Sequence, residues 1–232
     1  MSPPVVLILG AGSRLGAGIA RAFSSADYSV AVVSRSNPSP PALDPSTSHL
    51  RIRADLAIPS QVADAFAAVR SHFGKPPRVV VYNAATISQP PDAENLLSLD
   101  VGQLEHDVRV NATGAYVAAQ RAVEAWKEVG EEGGRFVFTG NRLNVKPEPV
   151  PVFLSLGVAK SQAWWWLGAA DGFFKGKGWR FFYADERNAD GSGTGKDVNP
   201  ESHGKFYLKL AEGDVEELPF DVTFVDGEYK KF

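Results

Sequence analysis

The stretch "VVLILGAGSRLGAG", residues 5 to 18, decides the fold of this 232-residue chain. Its first five apolar residues predict a buried β-strand, and the glycines after them open a helical segment. Such a turn brings free backbone N–H groups and the positive end of a helix dipole to a phosphate. We therefore expect a dinucleotide site, with Gly12 in the tight turn, Gly16 beside a pyrophosphate and Gly18 between helix and strand. The binding residues expected in this loop are Gly12, Ser13, Arg14, Leu15, Gly16 and Gly18.

The rest of the chain alternates short apolar runs with longer helical segments. Further strands are expected at 29–34, 50–54, 78–83, 135–140, 179–184 and 221–225, and helices at 60–73, 102–129, 154–174 and 201–212. This alternation predicts an α/β fold: a single Rossmann-type, doubly wound parallel sheet of about seven strands with helices on both faces. We expect one domain over residues 1–232, an exposed loop at 36–49, and a mobile substrate-side loop with a short helix at 188–205.

Composition excludes several classes of function. The hydrophobic share is 44%, the charged share 22% and the net charge −3, so a nucleic-acid partner is not expected. Cysteine is absent, and the four histidines are scattered, so no metal site is expected. No apolar run approaches the ~20 residues of a membrane span, and no signal peptide is apparent. These features predict a cytoplasmic protein without a membrane partner.

The second predicted strand indicates which dinucleotide is bound. A site for NAD usually ends this strand with an acid that binds the ribose hydroxyls. Here the strand ends in "VVSRS", with Ser34 and Arg35 and no acid, and Arg14 lies in the glycine loop. Two guanidinium groups beside the adenosine ribose suit a 2′-phosphate. The sequence therefore predicts NADP(H) as the cofactor.

Six elements, in order along nearly the whole chain, resemble the short-chain dehydrogenase/reductase superfamily. They are the G-x-x-x-G-x-G spacing at 12–18, "RADLA", "YNAAT", "RVNATGAY", "GVAKSQA" and "TFVDGEY". The resemblance implies that Asp55, followed by Leu56, contacts the adenine, and that Asn83 and Ala84 belong to the cofactor site. It also implies Asn111 and Lys160 as catalytic residues, with Lys160 holding the nicotinamide ribose.

The same resemblance exposes two missing catalytic groups. Leu156 stands where the family has its tyrosine, four residues before Lys160. The alignment places Gly140 on the family's serine, and "FFYADER" replaces the usual Pro-Gly turn after the sixth strand. Reduction of a carbonyl creates an alkoxide that needs a proton, and loss of a positioned acid costs ~10²–10⁴-fold in rate. A ketone reductase of the usual kind is therefore disfavoured.

Three hypotheses remain open. In the first, another side chain supplies the proton to a small-molecule substrate; Tyr183 and His203 are the preferred candidates, and the others are Tyr116, Asp185, Glu186 and Tyr207. In the second, the substrate is an imine or iminium, which accepts hydride without forming an alkoxide. In the third, NADP(H) is bound without hydride transfer, as in a sensor or a cyclase-like catalyst.

The triplet "WWW", residues 164–166, bears on assembly. Three consecutive helical residues point in three directions, so one tryptophan can face the core and another a partner. Aromatic residues are enriched at protein interfaces. Together with the resemblance, this predicts a homo-oligomer formed through the helices at 102–129 and 154–174.

Overall fold

The computed structural model describes residues 2–232, which contain a nine-stranded sheet of order β3-β4-β2-β1-β5-β6-β7-β8-β9. The strands are β1 (Val5–Leu9), β2 (Ser29–Ser34), β3 (Ala42–Leu43), β4 (Leu50–Arg53), β5 (Val79–Tyr82), β6 (Arg135–Thr139), β7 (Arg180–Glu186), β8 (Asp221–Val225) and β9 (Glu228–Tyr229). The seven strands from β4 to β8 in this order pair in parallel. The predicted doubly wound α/β sheet is thus confirmed.

Two short antiparallel strands at the edges raise the strand count from seven to nine. β3 pairs with β4 inside the segment predicted as a plain loop, and β9 pairs with β8. Asp226 and Gly227 join β8 to β9, and both have positive φ, as a two-residue hairpin turn requires. Each added strand has two residues, so the edges of the sheet stay short.

Six helices cover the two faces of the sheet: α1 (Leu15–Ser25), α2 (Pro59–Phe73), α3 (Val101–Val108), α4 (Gly114–Val129), α5 (Leu154–Phe174) and α6 (Pro200–Glu212). Side chains from α2, α4 and α5 form one core layer, and those from α1 and α6 form the other. Successive residues of a strand face opposite layers: Phe181 and Tyr183 of β7 pack beneath α5, whereas Phe182 and Ala184 pack beneath α6. None of the helices within residues 2–232 has the length and apolar character needed to cross a bilayer.

The helix predicted at 102–129 is interrupted, which corrects the sequence prediction. Residues Arg109–Thr113 wind as a π-helix between α3 and α4. Buried Tyr82 of β5 lies beneath this turn, and its hydroxyl donates to the carbonyl of Val110 at 2.5 Å. Short π-helical turns occur frequently at functional sites, and this one contains Asn111.

Candidate functional site

A cavity of about 510 Å³ opens at the carboxyl edge of the sheet, where the chain order reverses between β1 and β5. Open α/β sheets bind ligands in this crevice. Eleven of the predicted cofactor residues line it: Gly12, Ser13, Arg14, Leu15, Gly16, Ser34, Arg35, Asp55, Leu56, Asn83 and Ala84. The structure therefore brings together residues from four separate segments of the chain, as the sequence predicted.

The glycine loop uses its glycines differently from the prediction. Gly10 takes the turn, with φ of +90°, and a Cβ there would lie 2.4 Å from the backbone nitrogen of Ala84. Gly12 has no protein atom within 4 Å of a Cβ, and it lines the cavity. Gly12 therefore allows a ligand to approach the backbone, while Gly10 allows the turn.

Gly18 does not line the cavity. A Cβ on Gly18 would lie 2.5 Å from Cβ of Pro200, so this glycine lets α1 pack closely on α6. The sequence predicted that Gly18 lets the helix pack against the strand; in the structure it instead lets α1 pack against α6. Since α6 follows the loop at 188–199, this packing also fixes where that loop meets the glycine loop.

The N-terminus of α1 suits a pyrophosphate. Arg14 occupies the N-cap position and makes no side-chain capping bond. The first N–H groups of a helix have no partner within the helix, and their dipole favours an anion. Together with the open approach at Gly12, this cradle fits the diphosphate of a dinucleotide.

The end of β2 carries cationic and hydroxyl groups and no carboxylate. Ser34 and exposed Arg35 line the cavity there, and the hydroxyls of Ser34 and Ser36 lie 3.2 Å apart. The Arg14 guanidinium reaches the same cavity and donates to the carbonyl of Lys196 at 3.0 Å. These donors suit a phosphate better than they suit two ribose hydroxyls.

Asp55 and His106 both line the cavity. Asp55 Oδ1 accepts from the backbone N–H of Ala57 at 2.9 Å, and its own N–H donates to Gln61 Oε1 at 2.7 Å. The first bond holds the carboxylate through Oδ1, and the second holds the backbone of Asp55. His106, on α3, was missed from the sequence, although helical spacing places it one turn before Val110, which also lines the cavity. The other lining residues that the sequence did not identify are Gly10, Val33, Ala54, Ala85, Thr86 and Val198.

A chain of hydrogen bonds crosses the inner end of the site. The Tyr207 hydroxyl donates to Thr139 Oγ1 at 2.9 Å, and that hydroxyl donates to Asn83 Oδ1 at 3.0 Å. Asn83 Nδ2 in turn donates to the carbonyl of Gly10 at 2.9 Å. Asn83, which lines the cavity, is thereby tied to the ends of β6 and β1 and to α6.

Lys160 lies behind this chain and not in the cavity wall. Its Nζ donates to the carbonyl of Thr139 at 2.5 Å and lies 4.4 Å from the centre of the Phe138 ring. Only 4% of the residue is exposed. Burial lowers the pKa of Lys160 to about 7, and the negative charge of Asp185 opposes that shift.

Asn111 is fully buried, and its side chain holds the loop after β5. Nδ2 donates to the carbonyl of Thr86, and Oδ1 accepts from the Thr86 N–H, both at 2.7 Å. The side-chain amide is therefore committed to the backbone of a residue that lines the cavity. Asn111 shapes the site from behind.

The two missing catalytic positions are filled by apolar and aromatic atoms. Leu156 is buried in the first turn of α5. A Cβ on Gly140 would lie 2.2 Å from the Tyr183 ring, so a serine does not fit at this position without moving that ring. The Tyr183 hydroxyl donates to the carbonyl of Asn141 at 2.6 Å and accepts from its N–H at 3.0 Å.

The proposed substitute donors do not reach the cavity. Tyr183 is fully buried, and burial raises its pKa well above the ordinary value, which makes it a poor acid. His203 is 1% exposed; its Nδ1 lies 2.9 Å from the carbonyl of Asn199 and 3.5 Å from Glu186. Tyr207 donates to Thr139, and Tyr116 packs edge-on against Trp166 on the outer side of α4. The geometry therefore speaks against Tyr183 and His203 as proton donors.

No group of three or more His, Cys, Asp or Glu side chains in residues 2–232 is arranged to hold a metal ion.

Comparison with known proteins identifies the family. The sequence model described as short chain dehydrogenase matches residues 4–152. The chain is 36% identical to "Short chain dehydrogenase/reductase dmxR12" of Cryptosporiopsis sp. (strain 8999), over 98% of this chain and 94% of that protein. The chain belongs to the short-chain dehydrogenase/reductase family. It is thus a member of an oxidoreductase family that binds nicotinamide dinucleotides.

Solved structures of the family share the fold. A short-chain dehydrogenase/reductase from Serratia marcescens BCRC 10948 superposes with a TM-score of 0.77 at 21% identity, covering 97% of this chain and 96% of that one. The 3-ketoacyl-(acyl-carrier-protein) reductase of Brucella melitensis, solved with NADH, gives 0.77 at 19% identity, with 97% of each chain covered.

Proposed function

We propose that the protein binds NADP(H) and transfers hydride to a small organic substrate. The observation that carries the proposal is the end of β2, where Ser34 and Arg35 line the cavity and no carboxylate follows the strand; Arg14 lines the same cavity. The uncapped N-terminus of α1 and the open approach at Gly12 would bind the pyrophosphate. Asp55 would accept from the adenine amino group, because Ala57 and Gln61 already hold it in place.

The catalytic end narrows the class of substrate. NADPH supplies the hydride, and the chain must supply position and, for a carbonyl, a proton. Leu156 supplies none, and Tyr183 and His203 are buried away from the cavity. Asn83, fixed by Thr139 and Gly10, would orient the nicotinamide half, and Lys160 would hold its ribose by moving from the Thr139 carbonyl. We therefore propose an imine, an iminium or an activated carbonyl as the acceptor, of the kind found in secondary metabolism.

A second candidate is an NADP(H)-binding protein without redox activity, such as a cyclase-like catalyst or a sensor. It is favoured by one observation: neither Lys160 nor Asn111 lines the cavity, and both are bonded to backbone groups of the protein. In this case the adenosine end would bind the cofactor, and the catalytic end would keep only a structural role.

We also propose a homodimer through α4 and α5. The tryptophans of α5 face three ways: Trp164 packs on Phe220, Trp166 on Tyr116 and Phe136, and Trp165 is 72% exposed. Phe173, two turns after Trp165, is 71% exposed. Sedimentation should give a dimer, and Trp165→Glu should shift it to monomer.

The cytoplasmic location stays a prediction.

Two measurements test the function. Titration with NADPH and with NADH, followed by fluorescence, gives the two dissociation constants; NADH is the competing cofactor because two structural neighbours were solved with NAD⁺ or NADH. We expect tighter binding of NADPH. NADPH oxidation is then followed with ketones, activated carbonyls and cyclic imines. Turnover of imines or activated carbonyls supports the reductase, and binding without turnover of any of them supports the second candidate. Equal or tighter binding of NADH would refute the NADP(H) assignment.

A further inference from the structure

Strand β7 carries a buried carboxylate, Asp185, at its second-last position. Because strand side chains alternate, Asp185 lies on the same side of the sheet as Tyr183 and Phe181, beneath α5. Lys160 projects from α5 to the carbonyl of Thr139, and Thr139 is paired with Ala184, the residue before Asp185. The register of β6 and β7 thus places the lysine and the carboxylate at the same height of the sheet.

Both groups have hydrogen-bonding capacity to spare. Asp185 is 2% exposed, and both of its bonds from Arg187, at 2.6 and 2.5 Å, end on Oδ2. Within residues 2–232, no protein donor bonds Oδ1. Lys160 Nζ has three protons and donates one of them, to Thr139.

The charges around Lys160 make Asp185 its principal counter-charge. Titratable or charged groups on the surrounding elements are Tyr183 and Asp185 on β7, Arg187 directly after β7, Asp221 on β8, Asp107 on α3 and Tyr207 on α6. Asp107 accepts from the side chains of Ser88, Gln103 and Ser155, and Asp221 accepts from Trp164. A buried ammonium needs a counter-charge to stay ionised, and the charge of Asp185 raises the pKa of Lys160 against the lowering by burial.

We infer that Asp185 is the counter-ion of Lys160, a positioning residue that keeps the lysine charged and aimed at the ribose in a chain that has leucine in place of the tyrosine. This inference rests on the proposed function for the role of Lys160 toward NADPH. The carboxylate itself does not touch the cofactor; it acts through the lysine. Arg187 orients the carboxylate from the other side by binding Oδ2.

The test is the pH dependence of NADPH affinity, measured from about pH 5.5 to about pH 9. In the wild type, affinity should fall as pH rises through about 7, because Lys160 loses its proton there. In Asp185→Asn the midpoint should move lower by about 1 pH unit, because a nearby opposite charge no longer favours the ammonium. Asp185→Glu, which keeps the charge, should restore most of the wild-type profile. Asp221→Asn removes a carboxylate on the same side of the sheet and should leave the midpoint in place.

A double variant separates this inference from a structural role. In Lys160→Met the midpoint should vanish, and adding Asp185→Asn should change the profile no further. An unchanged midpoint in Asp185→Asn, or a shift that persists in the Lys160→Met background, would overturn the inference. A wild type that binds no NADPH at any pH would instead contradict the proposed function.

Thermal melting keeps the inference testable if Asp185→Asn is too unstable to assay or NADPH does not bind. Removing one member of a buried charge pair destabilises a protein, and removing both relieves that cost. We expect Lys160→Met to restore much of the melting temperature that Asp185→Asn loses. Recovery only with Arg187→Met would make Asp185 a partner of Arg187 alone. Recovery with neither variant would show that Asp185 is not energetically paired with Lys160. Either result would overturn the inference.

Discussion

The two ends of the site are built in opposite ways. The adenosine end is made of backbone and exposed side chains around an open cavity. A Cβ at Gly12 would meet no protein atom within 4 Å, and the Arg35 side chain is exposed. The catalytic end is closed and internally bonded: Asn111 holds Thr86, Lys160 holds Thr139, and the Tyr183 ring fills the space beside Gly140. In the proposed function, binding of the cofactor's adenosine and chemistry on the substrate therefore belong to two differently built regions. Changes at the first end should alter ligand affinity without altering stability, whereas changes at the second should alter stability as well.

The largest expected effect comes from filling the adenosine end. Gly12→Val adds a side chain that meets no protein atom near its Cβ and points into the cavity, so it should displace the pyrophosphate. We expect NADPH affinity to fall by about 100-fold or more, roughly 3 kcal/mol, with an unchanged melting temperature. The control is Gly172→Ala, which also has open space and lies on α5 outside the cavity. Retained affinity in Gly12→Val would place the cofactor elsewhere.

The second prediction concerns the pH dependence of stability at the catalytic end. The pKa of Lys160 is about 7 in the folded protein against an ordinary 10.5, so between these values the unfolded chain binds a proton that the folded chain does not. Stability should therefore rise with pH, by about 3 kcal/mol between pH 7 and about pH 9.5. The titration of Asp185 alters the free energy of unfolding below this pH window, because burial is the chief cause that raises its pKa to about 6. Urea denaturation at a series of pH values should show the rise in the wild type and lose it in Lys160→Met. Lys127→Met, an exposed change on α4, should keep it.

The adenosine end was largely predictable because its signals are local. A strand, a glycine turn and a helix adjoin in sequence, and the residues after β2, β4 and β5 meet at one edge because parallel strands share a direction. The details that were predicted wrongly depend on contacts between residues far apart in the sequence. Gly18 contacts Pro200, 182 positions away, and no local pattern specifies that contact. The β9 hairpin could have been predicted from "VDGE", since Asp-Gly favours a two-residue turn.

At the catalytic end, the sequence allowed us to predict which of the family's residues are replaced, but not which side chains surround the replaced positions. Leu156 and Gly140 could be identified as departures, but what fills their surroundings depends on packing between distant strands. Tyr183 and His203 were expected at the carboxyl edge of the sheet, and both lie near it. The alternation of side chains along β7 directs Tyr183 into the core, and His203 lies on the buried face of α6. The counter-charge at Asp185 follows from the same alternation, once the register of β6 and β7 is known.

The third prediction sharpens cofactor choice at the adenosine end. A hydrogen bond to a charged group is worth about 1.5–3 kcal/mol, so Arg35→Ala should weaken NADPH binding by about 10- to 100-fold. NADH lacks the 2′-phosphate, and its affinity should not change. Arg53→Ala is the control, because Arg53 is exposed at the end of β4 opposite Ser34 and does not line the cavity. Equal weakening of both cofactors would contradict a phosphate site at Arg35.

The fourth prediction asks whether the catalytic serine can be put back. Gly140→Ser directs its Cβ to 2.2 Å from the Tyr183 ring, which cannot turn away while its hydroxyl is bound to Asn141. We expect a loss of about 2 kcal/mol, or about 4–8 °C in melting temperature. Gly157→Ser, whose nearest neighbour is Cβ of Leu143 at 3.9 Å, should not lower it. A Gly140→Ser protein as stable as the wild type would mean that the Tyr183 ring moves freely, and the catalytic end would then be less closed than the contacts indicate.

The smallest expected effect tests a residue of the adenosine end that the sequence analysis did not identify. His106 is half-buried on α3 and lines the cavity beside Asp55 and Leu56, where the adenine would lie. Adenine is common to both cofactors, so His106→Ala should weaken NADPH and NADH equally, by about 3- to 10-fold, or roughly 1 kcal/mol. This equality distinguishes it from Arg35→Ala, and the two effects should add in the double variant because the residues contact different parts of the nucleotide. His72→Ala, an exposed change on α2, should leave both affinities unchanged. A loss confined to NADPH would move His106 to the phosphate, and would mean that the 2′-phosphate end of the cavity extends across to α3.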